Sequence, residues 1–198
     1  MLFEDFEINL VLVNDGSTQK IFPISTDISI EYIENTENQG KGFSIRKGLS
    51  HCLQSDIYLY TDVDIPYDTE SMVQIIDSIR VGTDIALSRR DVDYVENTKF
   101  DRKITSLGLK WFIRNIIGLR NYDTQGGLKG FNEKGKNILL NTKINRYLFD
   151  LEWIKLAEKK GLIIQSIHVR LNPGVELGKM NWKIFYQELF NLIKIIFA

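Results

Sequence analysis

Ile57-Tyr58-Leu59-Tyr60-Thr61-Asp62-Val63-Asp64 is the stretch that decides the fold. A short apolar and aromatic run, closed by two carboxylates at i and i+2 and then by Pro66, reads as a buried strand that stops where the acids begin. In an open α/β sheet the carboxyl ends of the strands line the ligand crevice, so Asp62 and Asp64 are expected at its mouth. Two carboxylates held this close repel each other unless a cation joins them. Hard oxygen ligands of this kind suit Mg²⁺ or Mn²⁺ carrying a substrate diphosphate. Taken alone, a turn rich in Asp accounts for the same residues equally well.

Outward from this stretch, strands and helices alternate. Residues 8–13 form a near-continuous apolar strand closed by the turn signal Asn14-Asp15-Gly16-Ser17, and 28–33 form a second. The spacing predicts a helix over 42–53, the strand over 57–61, and a helix over 69–79 with Asp68 as N-cap. A short strand over 84–88, a long helix over 102–117, an extended segment over 126–132, a helix over 150–160 ended by Gly161, and a strand over 162–171 follow. Such alternation predicts a three-layer α/β/α fold on a mostly parallel sheet.

Composition narrows the function classes. The 198 residues suffice for one domain with a substantial core, and 43% hydrophobic with 26% charged content is that of a folded soluble protein. A net charge of −1 gives no broad attraction to nucleic acid. The single Cys52 excludes an internal disulfide and a cysteine metal cage, which suits a cytoplasmic, reducing compartment. No signal peptide or uninterrupted membrane-spanning run is visible.

Two further segments carry chemistry. Asp15 directly follows a strand, so its carboxylate can accept from a base N–H or a ribose hydroxyl. Glu37-Asn38-Gln39-Gly40-Lys41-Gly42 opens a helix, where freed backbone N–H groups and Lys41 favour an anion. It is not a P-loop, since G-x-x-x-x-G-K-[ST] does not occur.

Read in order, Asn14-Asp15-Gly16-Ser17, Asn38-Gln39-Gly40-Lys41-Gly42 and Asp62-Val63-Asp64 resemble the D-D-G-S, N-x-G-K-G and D-x-D series of glycosyltransferase family 2 on the GT-A fold. Ser88-Arg89-Arg90, Arg102-Lys103-Ile104-Thr105-Ser106, Asp123-Thr124-Gln125-Gly126-Gly127-Leu128-Lys129 and Phe149-Asp150-Leu151-Glu152 are similar to the later motifs of its dolichyl- and polyprenyl-phosphate sugar synthase branch. The family opens with a strand ending in P-x-Y-N-E and a helix before D-D-G-S. Met1 lies only a few residues ahead of the strand that leads into Asp15-Gly16-Ser17, so roughly 25–35 residues, a strand and a helix, are expected to be absent from this chain.

The resemblance implies an inverting, metal-dependent transfer from a nucleotide-diphospho-sugar to a polyprenyl-phosphate acceptor, as in cell-envelope polysaccharide synthesis. Asp62 and Asp64 would hold Mg²⁺ or Mn²⁺, with Asp15, Lys41, Asp62 and Asp64 on the donor. A phosphate acceptor, mostly dianionic near neutral pH, needs no general base but does need cations to offset repulsion from the donor. Asp64, Arg89, Arg102 and Asp150 are the expected catalytic residues, and Arg90, Asp123, Gln125, Lys129 and Glu152 the expected acceptor ligands. On a helix, i and i+2 diverge, so at most one of Asp150 and Glu152 faces the cleft. The alternatives are a family 2 transferase to a glycan hydroxyl, with Asp150 or Glu152 as base, and a truncated, non-catalytic remnant.

His51 and His168 read as packing or surface residues, not a metal pair. Near the end, Trp182, Phe185, Tyr186, Leu189, Leu192, Ile193 and Ile196 recur at helical spacing. The domain is therefore expected over 1–178 with an amphipathic helix over 179–198. Its stretch from Trp182 to Phe197 would make peripheral contact with the inner face of the membrane.

Overall fold

A computed structural model describes residues 6–18, 29–90 and 126–172. Among them the chain runs β1 (Leu10–Asn14), β2 (Ile30–Glu34), α1 (Lys41–His51), β3 (Tyr58–Tyr60), α2 (Thr69–Arg80), β4 (Ile85–Arg90), β5 (Lys129–Phe131), α3 (Glu133–Leu140), α4 (Phe149–Lys159) and β6 (Ile164–Val169). The helices expected over 102–117 and 179–198, and hence the domain boundary at 178, lie outside the described residues.

Strands β1 and β2 pair in parallel, and β3, β5, β4 and β6 form a second sheet in that order. The mostly parallel expectation needs correcting. β4 and β6 are parallel, but β5 runs antiparallel between β3 and β4, so the sheet is mixed. The reversal brings Gly126 and Gly127 to the edge where β3 and β4 end. Tyr60 and Leu87 both stand opposite Lys129, so the end of β3 and the start of β5 are level with Leu87, and β4 runs three residues further.

Strand alternation builds three layers. Ile85, Leu87 and Phe131 pack with Leu49 of α1, Leu139 of α3 and Phe149, Trp153, Ile154 and Ala157 of α4. Ala86, Leu128 and Val169 face the other way, onto Ile75 and Ile79 of α2. Helix α2 comes so close to β5 that a Cβ at Gly130 would stand 2.5 Å from Ile75 Cγ2. Trp153 is fully buried, meets Phe131 edge-on with centroids 5.1 Å apart, and satisfies its indole N–H on Gly135 O at 2.9 Å. No ladder joins β1 and β2 to the larger sheet among the described residues. Helix α1 connects the two, with Gly48 against Val13 and Leu49 in the core with Tyr58.

Local signals explain the ends. Asp68 caps α2, accepting from Ser71 N at 2.8 Å, as expected. Gly161, at φ 74, takes the left-handed position after α4. Helix α3 was not anticipated. Asn132 caps it by accepting from the amides of Lys134 and Gly135.

Candidate active site

The two carboxylates sit at the edge where β3 ends. Asp62 Oδ1 is 2.6 Å from Lys41 Nζ at the start of α1. The backbone of Gly127 crowds the other oxygen: a Cβ there would lie 2.6 Å from Asp62 Oδ2. Beyond Asp62 the chain turns through Val63, Asp64 and Ile65, all exposed. Ile65 adopts φ 40, a strained conformation for a β-branched residue. It is held by its own N–H on Asp62 O at 3.0 Å and by Asn172 Nδ2, which donates to Ile65 O and Tyr67 O, each at 3.1 Å.

Asp64 makes no hydrogen bond or ion pair with any described residue, so both its oxygens are open for ligation. The described residues place no group of three acidic, histidine or cysteine ligands together. Two carboxylates with the remaining positions left to phosphate and water are the donor set Mg²⁺ accepts, and Mn²⁺ prefers the same oxygen ligands. The residues present therefore fit a divalent cation bound together with a diphosphate.

Asp15 is committed inward. Its Oδ1 accepts from Asn35 Nδ2 and Gln39 N, and its Oδ2 from Gly40 N, all at 2.9 Å. The amides expected to be free for a ligand anion are thus partly answered by the protein's own carboxylate at the start of α1. Burial pushes the Asp15 carboxyl up, but hydrogen bonds from Asn35, Gln39, Gly40 and Ser44 outweigh it and hold the group below its ordinary value. Beside this clamp, Gly16, Ser17, Thr18, Glu34, Asn35 and Thr36 line an open cleft of about 370 Å³.

On the far side of Gly127, β4 ends in Ser88, Arg89 and Arg90. Gly126 is pressed against Ser88, and a Cβ on it would run into the Ser88 hydroxyl and carbonyl. Ser88 is fully buried and its hydroxyl has no hydrogen-bond partner among the described residues. Arg89 is exposed, opposite His168 in β6. With β5 between β3 and β4, Asp62 and Arg89 stand about two strand spacings apart, roughly 10 Å. Arg90 closes the strand. Arg102, Asp123 and Gln125 lie outside the described residues.

Three expected site residues turn out to be interior. The Lys129 side chain has no solvent exposure, and its Nζ stands 3.0 Å from Asp150 Oδ2 and 2.6 Å from Gly126 O. Asp150 Oδ1 accepts from the Tyr60 hydroxyl. Burial first, then the Asp150 charge, raises the Tyr60 phenol well above its usual range, so it stays a donor. Glu152 faces another way, as helical spacing requires. Its carboxylate accepts from Lys143 N at 2.9 and 3.1 Å and from Ile144 N at 2.8 Å, not from a group in the cleft. Lys129 and Glu152 therefore do not present their charges to an acceptor.

Tyr60, Tyr67 and Arg46 escaped the sequence reading. The Tyr67 hydroxyl accepts from Gly127 N at 2.9 Å. Its place just after D-x-D was the only available signal. His51 pairs with Glu31 at the surface, at 2.9 Å.

The mixed α/β sheet with an acid pair at the ends of its strands is the fold of the GT-A glycosyltransferases. The chain belongs to glycosyl transferase family 2, whose family model matches residues 3–149. It is 29% identical over 206 residues to a dolichyl-phosphate beta-glucosyltransferase of Trichomonas vaginalis, covering 97% of this chain and 62% of that protein. To a dolichol-phosphate mannosyltransferase of Pyrococcus furiosus it is 25% identical, covering 94% and 54%. An uncharacterised protein of Methanocaldococcus jannaschii is 28% identical, with 82% and 69% covered. The chain thus spans between half and just over two thirds of the length of these relatives. Among solved structures, glucosyl-3-phosphoglycerate synthase of Mycobacterium tuberculosis with Mn²⁺, UDP and glucosyl-3-phosphoglycerate superposes with a TM-score of 0.65 at 13% identity, covering 95% of this chain and 68% of that one. Among the described residues no helix is long and apolar enough to cross a membrane.

Proposed function

We propose that this chain provides the site of a sugar transfer from a nucleotide-diphospho donor to a lipid-borne phosphate. The observation that carries the reading is the state of Asp150. A hydroxyl acceptor needs a base, and Asp150 is the acid that family resemblance offers for it. Here one of its oxygens is engaged by Tyr60 and the other by a lysine with no access to water. Taking a proton onto Asp150 would break the pair and leave an ammonium buried without its partner, at a cost of several kcal/mol. Glu152, the other candidate base, is spent on backbone amides. An acceptor that arrives already anionic needs neither. The dolichyl-phosphate transferases among the relatives support the same acceptor class.

In this reading the cleft beside Gly16 and Glu34 takes the nucleoside, and Lys41 meets the diphosphate. Asp62 and Asp64 would hold Mg²⁺ or Mn²⁺, which when bound supplies Lewis-acid neutralisation of the leaving diphosphate. Arg89, with Arg90 and Arg102, offsets the charge of the incoming phosphate. An oxygen of that phosphate attacks the anomeric carbon as the bond to the diphosphate breaks, inverting the centre. The amphipathic helix expected over 182–197 would hold the protein at the surface where such a lipid resides.

The test supplies a radiolabelled nucleotide sugar with Mn²⁺ and either polyprenyl phosphate in vesicles or a soluble glycan. Label in the lipid fraction alone is expected. Label in the glycan and none in the lipid would overturn the reading and return Asp150 to the role of base.

A further inference from the structure

Between α1 and α4 lies a short stretch of backbone, residues 142–145, that no motif singled out. Two charged side chains grip it from opposite sides. From α4, buried Glu152 accepts the amides of Lys143 and Ile144. From α1, Arg46 Nη1 donates to Thr142 Oγ1 at 3.0 Å and to Ile144 O at 2.8 Å, and its Nη2 donates to Asn145 Oδ1.

The amino end of α1 rests on this saddle. Phe43 N donates to Asn145 O at 3.1 Å. A Cβ at Gly40 would stand 2.5 Å from Asn145 O, and one at Gly42 would stand 2.6 Å from Ile144 O. Both positions therefore need glycine so that backbone can lie on backbone. The same end of α1 carries Lys41 to Asp62 and the Gln39 and Gly40 amides to Asp15. Among the described residues, neither Arg46 nor Glu152 bonds to any of these three groups directly.

We propose that Arg46 and Glu152 are positioning residues for the donor diphosphate, acting through the saddle on the place of Lys41. The inference rests on the donor site proposed above. A planar fork and a carboxylate fix the saddle better than single-point contacts would, since each meets two or more of its polar groups at defined angles. A displacement of α1 by about 1 Å would separate Lys41 from its partner, and errors of that size cost up to about 100-fold in organised sites.

The experiment titrates UDP and GDP, each with Mn²⁺, into wild type, Arg46→Met, Glu152→Gln, Lys41→Met and the double variant Arg46→Met with Lys41→Met, with thermal midpoints recorded alongside. Lysine acetylation footprinting of Lys41 is run in parallel without nucleotide. Arg46→Met and Glu152→Gln are expected to weaken binding about tenfold, ~1.4 kcal/mol. They are also expected to raise Lys41 labelling several-fold. In the Lys41→Met background, adding Arg46→Met is expected to change affinity less than about twofold, because the two act in series. Additive losses in the double variant, or unchanged Lys41 labelling in both single variants, would overturn this inference alone. If wild type binds neither nucleotide while the labelling changes as expected, the donor-site reading falls and the coupling of Arg46 and Glu152 to Lys41 stands.

Discussion

Lys129 Nζ lies 3.0 Å from Asp150 Oδ2, and the lysine side chain has no exposure to solvent at all. The pair joins β5 to α4, and through Gly126 O it fastens the turn that abuts Ser88 and Asp62. A buried ion pair contributes little net stability over an apolar replacement, but breaking it leaves one charge without compensation.

Lys129→Met is therefore expected to destabilise the fold by about 3–5 kcal/mol, and Asp150→Leu comparably. The double variant Lys129→Met with Asp150→Leu should be more stable than either single one. It should still fall short of wild type, because the Tyr60 hydroxyl loses its partner, a penalty of about 1–3 kcal/mol. Urea unfolding of the four proteins checks this. Losses that simply add would show the two groups to be energetically independent.

The Asp15 clamp has a pH signature. Its folded-state carboxyl titrates below the ordinary value of 3.8, so the unfolded chain takes up a proton first as the pH falls. The stability it contributes is complete above that ordinary value and is lost as pH drops through the lowered folded value. Asp15→Asn should thus be least stable relative to wild type near neutrality, with the gap narrowing below about pH 4. Urea midpoints of both proteins from pH 6 to pH 3 provide the measurement, and a gap that widens in acid would contradict the clamp.

Periodicity revealed most elements because their apolar positions are dense: the strand before Asp62, the apolar run of β1, and Ile75 with Ile79 on α2. It missed α3, whose Glu133-Lys134-Gly135-Lys136 opening shows no apolar face. That helix depends on the Asn132 cap and on Gly135, which lets it approach Phe131 and Asp84 closely. The direction of β5 was equally hidden, since three residues of strand carry no sign of polarity.

At the site, the motifs located Asp62, Lys41 and Asp15 but not what they touch. That Asp15 answers the amides of Gln39 and Gly40, more than twenty residues away, depends on how two loops fold together. A lysine that ends fully buried looks the same in sequence as one that meets a phosphate.

Gly127 is the point where the turn meets the acid pair. Gly127→Ala sets a methyl 2.6 Å from Asp62 Oδ2, closer than real contacts allow, so the carboxylate has to rotate away. A destabilisation of about 1–3 kcal/mol is expected from the overpacking. It should be accompanied by a rise in Lys41 labelling as its 2.6 Å partner is displaced. Thermal unfolding together with acetylation footprinting follows both effects, and unchanged labelling would show that Asp62 does not yield.

The two acids at the end of β3 are expected to separate by role. Asp62 is already paired with Lys41, whereas Asp64 is exposed and makes no hydrogen bond or ion pair with a described residue. Asp64→Asn should leave the stability within about 0.5 kcal/mol of wild type, as for an ordinary surface substitution. It should nevertheless abolish the strengthening of UDP or GDP binding by Mn²⁺, because a neutral amide is a poor ligand for a hard cation. Asp62→Asn should weaken nucleotide binding with or without metal, since it also releases Lys41 from its place. Calorimetric titrations with Mn²⁺ and with a chelator distinguish the two. If Asp64→Asn retains the full metal effect, the cation is held elsewhere.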